Sequence, residues 1–432
     1  MFTLRHCVYF SMLLALVVAG CATVAPPLGK DDFRITSGEL KRGSSEFTLK
    51  AFQVPGLCAS GGKLSAMAPA LVRIAEVGGN TVCFDLTGFN ADGTALDPKA
   101  VETVGVFAKR TKDQRMGTLV RVLGDSTDAA FRKNAVRTAA QAFKGQGLVV
   151  YWIDGPDAAA LAKEFKKLAP GRVVAAPQNG DIDVVEKAPA AKLAKPALLA
   201  GAIPDVKVPN VHFVLAGKDA DYPALDEALS NPVEKAPYTP DNSKLSEEER
   251  KEGFESLFDG KTLNGWWFFG DNKQGFRVHP DGYIEWVTLG GGAMYSRERY
   301  GDFILRLDFK VKDEGANSGI YLRAPRDCRQ SKIGMESQIM GDFGKEPDIH
   351  VTGAVYDVVA PKVNASKKAG EWNSLEIVFK GPHLKSTING KVVQDLSFED
   401  NEELKYRLRK GFIGLQDHGN YAAWRNIRIK KL

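Results

Sequence analysis

Hydrophobic and polar residues follow two different patterns along this chain. Over residues 47–231, short β-rich runs alternate with longer stretches that place apolar residues at helical spacing. The predicted strands are 47–52, 81–86, 118–122, 148–153, 172–176 and 211–215, and the predicted helices are 64–77, 98–109, 129–143 and 158–168. Alternating strands and helices predict an α/β domain with a parallel sheet. The sheet is either open and doubly wound or a degenerate β/α barrel, since a complete eightfold barrel needs roughly 250 residues.

From residue 253 onward the apolar positions alternate with period two. Over 302–311, Phe303, Leu305, Leu307, Phe309 and Val311 share one face of a predicted strand. The segment 374–380 repeats this pattern, and Asn389-Gly390 between two such runs predicts a type I′ hairpin. The segment 399–405 predicts a helical turn or loop. Residues 253–432 are therefore predicted to form an all-β sandwich or jelly roll.

Residues 232–252, with three prolines and a charge run at 246–251, predict a solvated linker.

The first residues have the features of a bacterial lipoprotein signal. Arg5 precedes an apolar run at 8–18, and Val18-Ala19-Gly20-Cys21 resembles a lipobox. We predict a signal peptide over 1–20, lipid on Cys21 and a tether over 21–46. The alternatives are a plain secretory cleavage and a single anchor helix, but the apolar run is shorter than the ~20 residues that span a bilayer. Ala22, where a sorting signal would place Asp, favours the outer membrane, facing the periplasm or the surface.

Composition limits the classes of partner and site. Hydrophobic residues make up 44% and charged residues 26% of the 432 residues, as in an ordinary folded protein. The net charge of +5 is spread without a basic tract, which argues against nucleic-acid binding. Three cysteines remain beyond Cys21, at 58, 83 and 328, without a CxxC motif for zinc. Cys58 and Cys83 offer one disulfide pairing, although Cys83 lies in an apolar run that suits a buried thiol.

A series of motifs in the second half of the chain resembles a known family. The motifs are LFDGKTLNGW at 257–266, YGDF at 300–303, ANSGIYLR at 316–323, GMESQI at 334–339, TGAVY at 352–356, GEWN at 370–373, GLQDHG at 414–419 and WRNI at 424–427. In this order, over 254–432, they resemble the 3-keto-disaccharide hydrolase or 3-keto-glucoside-1,2-lyase family. The resemblance implies a concanavalin-like jelly roll that cleaves a sugar or glycan already oxidised at C3 by a separate dehydrogenase.

The chemistry implied by this resemblance sets requirements on the site. A carbonyl at C3 acidifies the hydrogen on C2, so a base can remove it while the glycosidic oxygen leaves C1. Water then adds to the product, which gives net hydrolysis. Such a site needs a base, an acid for the leaving group and a group that polarises the ketone.

Period-two spacing selects the candidate residues, because residues two apart on a strand share a face. Glu336 and Gln338, Tyr321 and Arg323, and Gln416 and His418 are such pairs. We predict Glu336 or His350 as the base, Asp342 as an assisting group and Arg323 as the group that polarises the ketone. The predicted substrate-binding residues are Asn317, Tyr321, Gln338, Tyr356, Gln416 and His418.

Several of these residues also have structural interpretations. Glu336 could form a buried ion pair with Arg323, His350 could be an ordinary loop histidine, His418 could cap a turn, and Tyr356 could be a core aromatic residue. Gln338 stands where many jelly-roll glycosidases have a second carboxylate, so a retaining mechanism is disfavoured unless Asp342 supplies that group. No cofactor is predicted. No spacing demands a metal, although Glu336, Asp342, His350 and His418 would form a mixed N/O ligand set.

The first domain offers weaker candidates. Asp85, Asp154 and, further on, Glu186 lie at the ends of predicted strands, where barrel enzymes place catalytic acids, but Asp154-Gly155 also fits a turn. This domain would bind glycan or act as a spacer. The leading prediction is an envelope lipoprotein that cleaves 3-keto-glycosides. The alternatives are a non-catalytic carbohydrate-binding lipoprotein and a structural envelope protein that recognises other proteins.

Overall fold

The computed structural model describes residues 28–185, 195–201, 210–215, 221–230, 232–268, 275–287 and 292–432. The predicted signal peptide, Cys21 and Glu186 lie outside these residues. In the described part, the chain forms a small β-sheet, a parallel barrel and a two-sheet sandwich, in that order.

A three-stranded antiparallel sheet precedes the barrel. Its strands are β1 (Phe33–Thr36), β2 (Glu39–Arg42) and β3 (Ser45–Glu46). The Phe33 side chain is buried, its N–H donates to the Gly147 carbonyl (2.8 Å), and Asp32 pairs with Arg172. The prediction of a tether over 21–46 is therefore wrong from Phe33 onward, because these strands pack against the barrel.

The first large domain is a closed barrel of eight strands, in which every neighbouring pair is parallel. The strands are β4 (Lys50–Gln53), β5 (Thr81–Asp85), β6 (Gly117–Arg121), β7 (Val150–Trp152), β8 (Val173–Ala176), β9 (Ile182–Val185), β10 (Ala197–Ala200) and β11 (Val211–Leu215). The helices are α1 (Leu64–Glu76), α2 (Pro98–Asp113), α3 (Ala129–Phe143), α4 (Ala158–Leu168) and α5 (Asp221–Ala228).

The barrel is a shortened version of the β/α pattern. Helices separate β4 from β5, β5 from β6, β6 from β7 and β7 from β8, whereas only residues 177–181 separate β8 from β9. The strands are buried on both faces, as in β8, and the helices bury one face against them. Asp97 and Asp128 cap α2 and α3 by accepting bonds from main-chain N–H groups. Of the two predicted arrangements, the structure has the barrel.

The segment between the domains is packed rather than solvated. It contains α6 (Pro232–Lys235) and α7 (Glu247–Glu252). Ser246 and Glu249 form a reciprocal capping box at the start of α7, and Glu249 also accepts a bond from Arg428 (2.6 Å). The charge run predicted to be solvated therefore contributes a carboxylate that binds the second domain.

The second large domain consists of two antiparallel sheets. The eight-stranded sheet contains β12 (Glu255–Ser256), β14 (Phe276–His279), β15 (Tyr283–Trp286), β17 (Phe303–Val311), β20 (Asn373–Lys380), β21 (His383–Ile388), β22 (Lys391–Ser397) and β24 (Ala422–Lys431). The five-stranded sheet has the order β13 (Trp266–Phe268), β16 (Gly292–Tyr300), β23 (Gly411–Asp417), β18 (Asn317–Ala324) and β19 (Met335–Met340). A short helix, α8 (Gln330–Ile333), precedes β19.

Period-two alternation of burial holds along β17 and β20, the two strands in which the sequence predicts it. Burial alternates strictly along β17, and its apolar side chains pack between the sheets with Ile320, Ile377 and Leu415. Asn389 and Gly390 have φ of 49° and 77°, which a type I′ turn requires. These observations confirm the predicted sandwich.

The sandwich docks against the amino end of the barrel strands. Asp327 accepts bonds from Lys50 (2.7 Å) and Asn80 (3.2 Å), and the Arg329 N–H donates to the Gln114 carbonyl (2.8 Å). A second group of ion pairs joins Arg326 to Asp226 and Glu234. The two domains are thus held by several polar contacts, which fixes their relative position around Asp327–Arg329.

Cys58, Cys83 and Cys328 are all free and buried in the structure. The Cys58–Cys83 pairing is therefore absent, and Cys83 fills the apolar position that the sequence favours. Among the described residues, no helix is both long and apolar enough to cross a membrane.

Candidate functional site

A polar groove of about 180 Å³ lies on the outer face of the five-stranded sheet. The sandwich core occupies the other face of this sheet. Seven of the predicted residues line the groove: Asn317, Tyr321, Glu336, Gln338, Tyr356, Gln416 and His418. They come from β18, β19, β23 and adjoining loops. Convergence of β18, β19 and β23 is what the period-two pairs predict.

Glu336 is the most deeply buried carboxylate in this group of lining residues. Only 4% of its surface is exposed, and it lies opposite Tyr321 in the β18–β19 pair. Loss of hydration raises the pKa of Glu336 to about 8, although a hydrogen bond from Gln416 and the charge of Arg329 act in the opposite direction. At neutral pH the carboxyl is mostly protonated, and a small change in its surroundings can move a proton on or off it.

Amide side chains organise the rest of the groove. Gln416 Nε2 donates to the Tyr321 hydroxyl (2.6 Å), and Gln338 Nε2 donates to Asn317 Oδ1 (3.0 Å). Asn317 Nδ2 lies 3.4 Å from His418 Nε2. Within the described chain, the Oε1 atoms of Gln338 and Gln416 are buried and lack a hydrogen-bond donor. Sugar hydroxyls are donors that would satisfy them.

A glycine makes room for the carboxyl of Glu336. A Cβ atom placed on Gly319, in the neighbouring strand β18, would lie 2.3 Å from Glu336 Oε1. No side chain larger than hydrogen fits at residue 319 unless Glu336 moves. The backbone of β18 therefore forms the floor beneath the carboxyl.

Comparison with known proteins identifies the family of the domain that carries this groove. Residues 253–430 match the family model described as the 3-keto-alpha-glucoside-1,2-lyase-like domain. The C-terminal domain belongs to this family. The 3-keto-disaccharide hydrolase of Bacteroides thetaiotaomicron is 28% identical over 231 residues, which are 42% of this chain and 79% of that protein. The predicted family membership is confirmed for this domain.

Solved structures similar to this chain match the same part of it. A candidate glycosyl hydrolase from Parabacteroides distasonis is 27% identical, with a TM-score of 0.38, over 44% of this chain and 98% of its own. The carbohydrate-binding module CBM66 from Bacillus subtilis is 15% identical, with a TM-score of 0.30, over 39% of this chain and 96% of its own.

Arg323 does not face the groove of this family domain. It lies at a β-bulge, where the β18–β23 register shifts and its own φ is 50°. The bulge turns the guanidinium into the sandwich, where it donates to the Gly301 and Gly381 carbonyls, pairs with Asp302 and stacks over Phe379. The prediction that Arg323 polarises the ketone is wrong, and so is its alternative, an ion pair with Glu336.

This position gives Arg323 a structural role that can be measured. We expect Arg323→Met to lower the free energy of unfolding by about 2–3 kcal/mol, because two partly buried carbonyls lose their charged donor. The KM of the folded variant for substrate should change little. Denaturant unfolding and steady-state kinetics check this expectation, and an unchanged stability with a raised KM would contradict it.

Asp342 and His350 also lie outside the groove lining. Asp342 is buried and accepts bonds from the Thr352 N–H (2.7 Å), the Thr352 hydroxyl (2.7 Å) and Ser366 (3.2 Å), so its carboxylate fixes a loop. The prediction that it assists catalysis is wrong. His350 is exposed, packs edge-on against Tyr356, and its Nε2 lies 3.4 Å from Asp357 Oδ1. Of the two predicted bases, only Glu336 lies in the groove.

The groove also contains residues that the sequence did not single out: Arg115, Gly292, Arg329, Gln330, Ser331 and Asp417. Arg329 precedes α8, seven positions before Glu336, and its place in the loop leading to β19 is a signal that could have suggested it. Arg115 belongs to the barrel. Nothing in the strand pattern of the second domain points to a residue so distant in sequence.

The acids of the barrel lie at the opposite end from the groove. Asp85 is the last residue of β5 and Asp154 follows β7, and both pair with Arg121 (3.5 and 2.7 Å). In the described residues no group of three His, Cys, Asp or Glu side chains could hold a metal ion.

The raised pKa of Glu336 has a consequence for stability. In the unfolded chain the carboxyl ionises near its ordinary pKa of 4.5, whereas the folded protein keeps the proton up to a pH of about 8. The contribution of this group to stability is therefore fully present below pH 4.5 and is lost as the pH rises through 8. Each unit of difference corresponds to about 1.4 kcal/mol. We expect Glu336→Gln to become increasingly stable relative to the wild type between these values. Unfolding free energies across this pH range test this, and a constant difference would contradict it.

Proposed function

We propose that the C-terminal domain cleaves 3-keto-glycosides, with Glu336 as the group that transfers the proton. The buried carboxyl of Glu336 in a polar groove carries this proposal. A carboxyl whose pKa lies near neutrality is a stronger base than an exposed carboxylate, and it is also a usable acid. Membership of the 3-keto-alpha-glucoside-1,2-lyase-like family and the similarity to a 3-keto-disaccharide hydrolase support the same chemistry.

The reaction begins with the ionised form of Glu336. The carboxylate takes the proton from C2, and the electrons of the C–H bond form an enolate with the C3 ketone oxygen. As the enolate collapses, a C1–C2 double bond forms and the bond from C1 to the glycosidic oxygen breaks. The proton held by Glu336 is then available to the departing oxygen. Addition of water to the unsaturated ketone completes the net hydrolysis.

Arg329 takes the role that the sequence assigned to Arg323. It lines the groove and its charge acts on Glu336. A guanidinium near the ketone stabilises the negative charge that develops on the enolate oxygen. Gln338 and Gln416, with their free acceptor atoms, would hold the sugar hydroxyls.

A two-carboxylate glycosidase mechanism fits the groove less well. Asp417 also lines it, but Asp417 Oδ1 accepts bonds from Trp286 Nε1 (2.8 Å) and the Gly419 N–H (3.0 Å). These contacts hold Asp417 at the groove wall. Asp342, the second carboxylate considered from the sequence, lies elsewhere, so proton abstraction at C2 is the better-supported step.

The purified protein should distinguish an oxidised sugar from its parent. We expect a 3-keto-disaccharide to release monosaccharides and the unoxidised disaccharide to remain intact under the same conditions. Chromatography of the products measures both. Binding of the ketosugar without turnover would instead support a carbohydrate-binding module, and cleavage of the parent at an equal rate would contradict C2 chemistry.

We also propose that the protein is an envelope lipoprotein anchored through Cys21, working downstream of a sugar dehydrogenase. The lipobox at 18–21 supports this proposal. Fatty-acid labelling of the expressed protein should be lost in Cys21→Ser. Equal labelling of both proteins would contradict the anchor.

A further inference from the structure

The groove adjoins a much larger cavity between the two domains. This interdomain cavity has a volume of about 1240 Å³, and Arg115 and Arg329 line both spaces. The groove alone, at about 180 Å³, is smaller than the roughly 300–1,000 Å³ typical of small-molecule sites. A disaccharide whose ketosugar lies beside Glu336 therefore has to extend, and the cavity at the two arginines is the adjoining space.

The interdomain cavity has an excess of positive charge. Its lining includes seven lysine and arginine side chains and four carboxylates. Lys50 is paired with Asp327 and Lys112 with Asp31. In contrast, neither Arg115 nor Arg329 forms an ion pair with any residue that the structure describes. Arg34 and Arg42, elsewhere in the cavity lining, also have no ion pair among the described residues, but only Arg115 and Arg329 lie where the cavity meets the groove.

Domain docking fixes the positions of these two arginines. The Arg329 N–H donates to the carbonyl of Gln114, the residue before Arg115 (2.8 Å). Arg115 itself follows the end of α2 with a φ of 57°, which directs the chain sharply out of the helix. Its charge acts on the hydroxyl of Tyr321 in the groove floor. The barrel thereby contributes a side chain to the site on the sandwich.

We propose that the interdomain cavity binds the leaving-group part of the substrate and that this part carries an anionic oxygen group, a carboxylate or a phosphate. Planar guanidiniums bind both groups through paired hydrogen bonds. This inference rests on the proposed function for the placement of the ketosugar in the groove. It gives the barrel a role in substrate selection rather than that of a spacer.

The test compares 3-keto-glucosides that differ only in the leaving sugar: glucose, glucuronate or glucose 6-phosphate. We expect kcat/KM for at least one anionic substrate to exceed that of the neutral one by about tenfold or more. Preference for glucuronate identifies a carboxylate, and preference for the phosphate ester identifies a phosphate. Arg115→Asn, chosen because asparagine tolerates a positive φ, should reduce this ratio towards one. Arg115→Lys should restore part of it.

Lys163→Gln is the matched control, because it removes one positive charge from an exposed position on α4. It should keep the wild-type preference. Equal kcat/KM for all three substrates, or a preference that Arg115→Asn leaves intact, would overturn the inference while cleavage itself stands.

A binding measurement separates this inference from the proposed function. Calorimetric titration with free glucuronate, glucose 6-phosphate and glucose requires no turnover. If no ketosugar is cleaved but one of the anions binds in an Arg115-dependent manner, the anion site stands and the proposed reaction fails. If neither anion binds more tightly than glucose, the anion site is refuted whatever the outcome for cleavage.

Discussion

Glu336→Gln should lower kcat for a 3-keto-disaccharide by about 10²–10⁴-fold, the usual contribution of a positioned proton-transfer group. Glutamine has nearly the same size as the protonated carboxyl that occupies this position at neutral pH. The fold and the binding of substrate should therefore survive, so KM should change little. Steady-state kinetics on the purified variant measure both constants.

The pH dependence of the wild type should identify the same group. Abstraction of the C2 proton requires the ionised carboxyl, so kcat/KM should rise with pH and level off near the pKa of Glu336, about 8.

Glu376→Gln is a suitable control for the Glu336→Gln substitution, since it removes a carboxylate that pairs with Arg306 on the other sheet. A Glu336→Gln variant that keeps more than about a tenth of the wild-type kcat would contradict the assignment.

Gly319→Ala should lower kcat/KM by about 100-fold, because misplacing a catalytic group by about 1 Å has effects of that size. The new methyl group would lie 2.3 Å from Glu336 Oε1, so the carboxyl must move. The backbone of Gly319 does not have a positive φ, and alanine can adopt it without strain. The loss should therefore be in activity more than in folding.

Gly301→Ala provides the matched control for this substitution. A Cβ at residue 301 meets its nearest neighbour, the Arg409 carbonyl, at an ordinary distance of 3.6 Å. We expect near-wild-type kinetics for this variant. If Gly319→Ala were as active as Gly301→Ala, the position of the Glu336 carboxyl would not limit the reaction.

Local patterns were sufficient to predict most of the fold. The alternation from Phe303 to Val311 predicts which side chains enter the sandwich core, and helical spacing predicts α3 over Ala129–Phe143. The strands β9 and β10 were missed. Only residues 177–181 separate β9 from β8, so the alternation of strand and helix does not mark it. The strands β1 to β3 were also missed, since their stability comes from contacts with the barrel.

Regular alternation along the strands also predicted part of the candidate site. Glu336, Gln338 and Gln416 lie where regular alternation places them. Arg323 does not, because a β-bulge and its positive φ turn the side chain to the opposite face. The amino-acid sequence around Arg323 alternates regularly and gives no sign of this bulge. Arg115 reaches the groove only through domain docking, which no local pattern encodes.

The rate of cleavage of a 3-keto-disaccharide carrying deuterium at C2 tests the central assignment most directly. If Glu336 removes the C2 proton in the rate-limiting step, the deuterated substrate should be cleaved more slowly than the protonated one, most clearly below pH 8. Equal rates for the two substrates, together with full activity of Glu336→Gln, would contradict proton abstraction by Glu336.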